Sequence, residues 1–241
     1  MTPLASTPRP LRTTRGRSTL IVDAAKPPSG AASQVAHASM LAFELTSNRR
    51  PLIVSSGSGV PFGPEWEKAG RATNSHSTLS IDGFSSARFG RASRPEEGGA
   101  PLVEGPSLVT LHRTDERDGS SLLLSHDGYV PTHGLTHIRT LAMDRHGRVL
   151  LGEDSLAALD PPHRKTFEAV LMRGKMRGVS YALRFHLHPD ADASLDLNGT
   201  AVSVARSRNG PAKGRSTSSG RWVYRPVYSA AVASSRKKPC P

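Results

Sequence analysis

Val179, Tyr181, Leu183, Phe185 and Leu187 alternate with Ser180, Ala182, Arg184, His186 and His188, the cleanest two-residue period in the chain. Strict alternation predicts a strand with one buried face and one polar, basic face. The pattern stops at Pro189-Asp190. Shorter apolar runs with strand character lie at residues 19–23, 52–54, 78–81, 108–111, 122–124, 135–141 and 149–151. Asp82-Gly83, Asp127-Gly128 and Asp144-Arg145-His146-Gly147 close three of them as turns. Strands at spacings of roughly ten residues with Gly/Asp turns read as an antiparallel meander. Leu195 and Leu197 lead into Asn198-Gly199, and Val202 and Val204 follow, which is a strong hairpin signal. The expected fold is all-β, an antiparallel β-sandwich over residues 18–205. Residues 84–105 read as a surface loop. Phe167, Val170 and Leu171 recur at helical spacing, so residues 162–177 are expected to hold a helical turn.

The pattern fails at both ends. Residues 1–17 combine Pro, Thr and Arg with little to bury, and are expected to be a disordered tail. After Ala205 the strand signals give way to Ser, Arg, Gly, Lys and Pro, interrupted only at Trp222-Val223-Tyr224. Residues 206–241 are therefore expected to be a basic low-complexity tail. So abrupt a switch suggests a truncated or frame-shifted coding sequence.

Charge follows the same division. The chain of 241 residues has a formal net charge of +12, from 32 Lys/Arg and 20 Asp/Glu. Residues 1–30 hold five of the bases and one of the acids, and residues 206–241 hold nine and none. That leaves 18 bases and 19 acids for residues 31–205. The expected body is near neutral, which argues against a specific nucleic-acid surface; basic tails attract polyanions without specificity. The single cysteine, Cys240, excludes a disulfide framework and a thiolate metal cluster. No apolar run reaches the ~20 residues of a membrane-spanning helix. The first residues lack the apolar stretch of a secretory signal, so the chain as given is expected in the cytoplasm.

The candidate chemistry rests on histidines. His37 and His76 flank the apolar run at Leu52-Ile53-Val54, which ends in small residues. Neutral imidazole is a good zinc ligand, but a zinc site usually takes three or four donors. Taken alone, the two read first as hydrogen-bonded histidines at a sheet surface. His126, His133 and His137 fit no metal-ligand spacing. His186 and His188 share one strand face and are open to a ligand or to solvent. Glu153 and Asp154 would point to opposite faces of a strand, so they form no carboxylate pair. Neither a phosphate-binding glycine loop nor a Gly-x-Ser-x-Gly elbow is present.

Three ordered stretches resemble the C-terminal β domain of the heparinase II/III family of polysaccharide lyases. His37-Ala38-Ser39 leading to Phe43-Glu44-Leu45 resembles the family's His-x-His-Ala-Asp run and the strand after it. Val54-Ser55-Ser56-Gly57 resembles its Val-Asp-Ser-Gly strand end. Arg71-Ala72-Thr73-Asn74-Ser75-His76-Ser77-Thr78 with Ile81-Asp82-Gly83 resembles its Arg-Ser/Ala-Thr-x-x-His-Asn-Thr run and the closing Ile-Asp-Gly. Ser125-His126-Asp127-Gly128-Tyr129 and Arg184-Phe185-His186-Leu187-His188-Pro189 are similar to further parts of that domain. On this resemblance residues 37–47 are expected to be a strand.

The resemblance implies a bacterial lyase that cleaves uronic-acid-containing polysaccharide by β-elimination. It also implies a periplasmic setting and zinc held by His37 and His76. Ser55 stands where the family has the Asp ligand, and a serine hydroxyl is a poor zinc ligand. Val35 stands at the position of an active-site His, and Ser39 at that of the motif's Asp. The family draws much of its acid–base machinery from an N-terminal helical toroid, and no such segment precedes residue 18 here. The expectation is thus a β domain that is incomplete or inactive alone, acting on acidic polysaccharide with a separate helical domain. The alternative is a non-catalytic carbohydrate-binding or scaffold β-sandwich. Tyr129 and Tyr181 are phenols that could serve as acid–base groups, but Tyr181 alternates with the buried face and Tyr129 follows a Gly turn.

Overall fold

Alternating side chains build a frame of strands in the computed structural model, which describes residues 10–91, 99–196, 201–206 and 226–228. In chain order the strands are β1 (Leu11–Arg15), β2 (Ser18–Val22), β3 (Phe43–Ser47), β4 (Arg50–Val54), β5 (Leu79–Ile81), β6 (Arg88–Phe89), β7 (Leu102–Glu104) and β8 (Val109–Asp115). They continue with β9 (Gly119–Tyr129), β10 (Leu135–Asp144), β11 (Leu150–Ala157), β12 (Tyr181–Leu183), β13 (His186–Leu187), β14 (Ala191–Asp196), β15 (Ala201–Arg206) and β16 (Pro226–Tyr228). The helices are α1 (Pro64–Arg71), α2 (Val130–His133) and α3 (Pro161–Arg173).

One five-stranded sheet has the order β1-β2-β3-β4-β13, and the other has β16-β11-β10-β9-β8. Their apolar faces share a core. Leu20, Val22, Phe43, Leu45, Leu52 and Ile53 come from the first sheet, and Leu122, Leu124, Leu141, Met143 and Leu150 from the second. Full burial of each such side chain is worth about 1.5–3 kcal/mol. The fold is all-β, and every ladder among the described residues is antiparallel except β11–β16. A second cluster joins Leu79 and Ile81 of β5 to Tyr129 and Leu135, with Phe167 of α3 packed against it. Asp160 caps α3 by accepting the His163 N–H at 3.0 Å, and two prolines fill the first turn, where no N–H donor is needed.

Several expectations change. A strand lies within the expected tail of residues 1–17: β1 pairs with β2 from Leu11↔Val22 to Arg15↔Ser18. Arg15 then bridges to the other sheet, donating to Ser120 Oγ at 2.6 Å and Asp115 Oδ1 at 2.8 Å. Charge thus ties down a segment that has little apolar surface to bury. Residues 37–42 are not strand, since β3 starts only at Phe43. The alternating stretch at residues 179–187 splits into β12, paired with β5, and β13, paired with β4. Tyr181 consequently stays 39% exposed instead of buried. The strand at 122–124 runs on through Asp127-Gly128 to Tyr129, and the helical turn at 162–177 is a full helix, α3. The loop at 84–105 contains the short β6–β7 ladder. β14 and β15 pair as the Asn-Gly hairpin signal implies, with Asp196 opposite Ala201, although residues 197–200 lie outside the described residues. Of the expected C-terminal tail, residues 226–228 form a strand parallel to β11, while Trp222-Val223-Tyr224 lies outside the described residues.

Candidate functional site

Side-chain clamps, not strand pairing, hold His37. The buried Arg71 at the end of α1 donates from Nε to Ala36 O at 2.8 Å and from Nη2 to Ser33 O at 2.9 Å. Its own carbonyl accepts the Ala38 N–H at 2.8 Å. Thr73 Oγ1 donates to Ala38 O at 2.6 Å. The Arg71–Thr73 motif therefore fixes the backbone on both sides of His37. Downstream, Leu41 is fully buried with φ +57, a left-handed conformation uncommon outside glycine. This bend turns the segment into β3.

His76 follows a 3-10 turn at Thr73–Ser75, just ahead of β5. His37 Nδ1 and His76 Nε2 lie 3.1 Å apart, and His76 Nδ1 lies 3.1 Å from Ser55 Oγ. The three residues singled out by sequence thus meet in space. Burial, reinforced by the positive charge that His37 and His186 carry when protonated, pushes His76 down to about 4. His37 is also shifted down, first by burial and then by the Arg71 charge. Both rings are neutral at neutral pH. Gly70 lends its backbone to both, an influence that opposes the downward shifts. A side chain at Gly70 would meet Gly57 O at 2.7 Å, so α1 needs glycine there to lie against the loop after β4.

Two nitrogens bound to a tetrahedral zinc at about 2.0–2.1 Å stand roughly 3.3 Å apart, so the His37–His76 spacing suits two corners of such a site. The remaining corners lack donors of the usual kind. Ser55 contacts the far nitrogen of His76 and is uncharged. Among the described residues, no three His, Cys, Asp or Glu are grouped so that they could hold a metal ion. The donor set does not fit a structural zinc site.

The cluster extends beyond the three expected residues. His186 on β13 contacts Ser56 Oγ at 3.2 Å through Nδ1 and donates from Nε2 to Asn74 O at 2.9 Å. Arg184 donates from Nη1 to Asn74 Oδ1 at 3.0 Å and Ser80 Oγ at 2.8 Å. His186 and Arg184 belong to the alternating stretch, and their polar face gave the signal; its docking on the His76 segment was not readable from sequence. His188 turns away to its own neighbour, Asp190. Val35 is 73% exposed, and Ser39 donates to Asp23 Oδ2 at 2.5 Å, so neither supplies an acid–base group beside His37. Tyr129 is buried, its hydroxyl donates to Leu79 O at 3.1 Å, and burial raises its pKa far above that of a free phenol.

A buried polar chain lies behind the cluster. His126 and His137 stand opposite each other on β9 and β10, with Nε2 to Nδ1 at 3.1 Å. The Gly128 N–H donates to His126 Nδ1, which leaves Nε2–H to donate to His137. His137 Nε2–H then donates to Asp154 Oδ1 at 2.6 Å. Arg139 grips both oxygens of Asp154 and donates from Nη1 to Leu41 O at 2.7 Å and Ser77 O at 3.0 Å. These two carbonyls belong to the segments that carry His37 and His76. His133, grouped with His126 and His137 in sequence, sits apart, against Phe84.

Comparison with known proteins finds a matching family model and several similar proteins. A family model described as heparinase II/III-like, C-terminal, matches residues 11–235, further at both ends than the stretch of resemblance at 18–205. FtsZ-localized protein C of Caulobacter vibrioides (strain NA1000 / CB15N) is 37% identical over 198 residues, covering 80% of this chain and 32% of that protein. The chain thus spans about a third of the length of that curated relative. Among solved structures, a heparan sulfate lyase HepC mutant from Pedobacter heparinus is 15% identical, with 83% of this chain and 26% of that one covered, at a TM-score of 0.43. A heparinase III structure covers the same shares at 15% identity and a TM-score of 0.37.

Proposed function

Since the chain belongs to the heparinase II/III-like C-terminal family, we propose that it is the β domain of a polysaccharide-lyase-type protein that binds acidic polysaccharide and performs no elimination by itself. β-Elimination needs a base for the proton next to the uronate carboxylate, an acid for the leaving oxygen and a group that neutralises the carboxylate. One observation carries the proposal: His37 and His76 face each other as neutral rings, with an uncharged serine where a carboxylate ligand is expected. Tyr129, locked on Leu79 O, is not on hand to complete the chemistry. The polar surface formed by His37, His186, Asn74 and Arg184 still suits recognition of a hydroxylated, anionic chain, because guanidinium binds carboxylates and sulfates well.

Affinity electrophoresis of the chain through gels containing heparan-type or alginate-type polymer tests the binding half. Retardation that Arg184→Ala and His186→Ala together abolish is the expected result; retardation unchanged by those substitutions contradicts it. A second reading draws on the curated relative, whose name says that it localises to FtsZ. On that reading the domain is a scaffold in an FtsZ-localized protein. Co-sedimentation with FtsZ polymers, in the absence of any glycan, would favour it.

A further inference from the structure

At the other end of the β5–β12 ladder from the histidine cluster, a basic cavity of about 530 Å³ opens between α3 and the chain that follows it. Arg173, Lys175 and Arg177 line it, together with His133, Val170 and Asp82. None of the three cations forms a salt bridge with a described residue. Asp82 supplies one carboxylate against three positive charges.

The negative end of the α3 dipole accounts for a basic residue in the last turn, Arg173. It does not account for Arg177, four residues further on. The chain reaches that position through a bend in which Lys175 and Met176 both take left-handed backbone, φ +51 and +60. Such conformations cost free energy in residues other than glycine and tend to persist where a site requires them. The bend brings Lys175 and Arg177 to the same cavity as Arg173. His133, also at the cavity, is buried and packs edge-on against Phe84, with ring centroids 4.7 Å apart. Burial, followed by the Arg173 charge, lowers its pKa, so it adds no fourth positive charge at neutral pH.

We propose that this cavity binds the oxyanion, carboxylate or phosphate, of a small polar ligand, with Arg173 and Arg177 as guanidinium donors, Lys175 as a third cation and Asp82 accepting a ligand hydroxyl. Val170, Ile81 and Val179 give the site an apolar side for the body of the ligand. The proposal is independent of the lyase-domain reading, because it uses none of the residues of the histidine cluster.

The test is NMR titration of the ¹⁵N-labelled chain with inorganic phosphate, glucuronate and neutral glucose at low salt. The expected result is saturable shifts at the amides of Ile81, Asp82 and residues 174–180 with at least one of the two anions, and none with glucose. Saturation by phosphate alone or by glucuronate alone names the group that the site takes. Arg173→Ala with Arg177→Ala should weaken binding about tenfold or more, since a hydrogen bond to a charged group contributes about 1.5–3 kcal/mol. Lys175→Ala with Arg177→Ala, which leaves α3 intact, repeats the test if the first pair loosens the helix. Saturation by neither anion, equal shifts with glucose, or unchanged affinity in a folded double variant would overturn the proposal. Shifts confined to other parts of the chain would overturn it as well.

Discussion

Arg139 and Asp154 stand directly opposite each other on β10 and β11 and join through two hydrogen bonds, Nε to Oδ1 at 2.7 Å and Nη2 to Oδ2 at 3.1 Å. Their side chains are 0% and 5% exposed. Burial alone would raise the Asp154 pKa, but the Arg139 charge and the His137 hydrogen bond outweigh it and hold the carboxyl well below the usual range. Removing one partner leaves an uncompensated buried charge, which typically costs about 3–5 kcal/mol. Asp154→Asn is therefore expected to lower the unfolding free energy measured by urea titration by an amount in that range. A loss below about 1 kcal/mol would mean that the pair is not what holds β10 to the histidine segments.

The same network predicts a subtler effect. Arg139 also binds Leu41 O and Ser77 O, and Arg139→Lys keeps the charge but not the planar fork. The His37 and His76 ring signals should shift and broaden in this variant while far-UV circular dichroism stays that of the parent. Unchanged ring signals would separate the two features.

Acid should destabilise the fold through His76. Its folded pKa of about 4 lies below the value near 6.5 expected when unfolded, so the unfolded chain binds more protons between those values. Stability is then complete above about pH 6.5 and falls as pH drops toward 4, by about 3 kcal/mol for this group. The fully buried His126 and His137 are also shifted down and act in the same direction. Urea midpoints measured from pH 7.5 to 4 should fall steadily, and His76→Gln should flatten part of the slope. Midpoints constant across that range would contradict the burial of a neutral His76.

Much of this was legible in residue patterns. Apolar runs at residues 122–124 and 135–141 marked β9 and β10, and the family resemblance of the Arg71–His76 stretch linked His37 to His76. What alternation did not show is that His37 sits outside any strand, because Arg71, Thr73 and the left-handed Leu41 take over the hydrogen bonds that a ladder would supply. The Asp154 network was hidden for another reason. Its members come from three strands, and only the register of β10 against both neighbours aligns His126 with His137 and Arg139 with Asp154. Leu11–Arg15 escaped notice because polar bonds to Ser120 and Asp115 anchor it, not an apolar run.

Ser55 is the position where chemistry is easiest to restore. A carboxylate next to His76 favours the protonated ring, so Ser55→Asp should raise the His76 pKa from about 4 by a unit or more, as followed by NMR titration. The same variant should gain zinc affinity relative to the parent in a competition assay with a chromogenic chelator. If the parent chain already binds zinc as tightly as the variant, the two-imidazole description of the site is wrong.

Tyr129→Phe removes the hydroxyl that donates to the Leu79 carbonyl and should cost about 1 kcal/mol of stability. Polymer retardation in affinity gels should be unchanged, since the ring is buried away from the polar surface. A loss of binding without a loss of stability would assign Tyr129 a role at the site.

The most direct measurement is turnover. Purified chain is incubated with heparan-type, alginate-type and bacterial uronate polymers, with and without added zinc, while the ultraviolet absorbance of the unsaturated uronate product is followed. The account predicts no product above the protein-free blank with any polymer. Sustained product formation that His37→Ala or His76→Ala abolishes would contradict it and make the histidine pair a working elimination site.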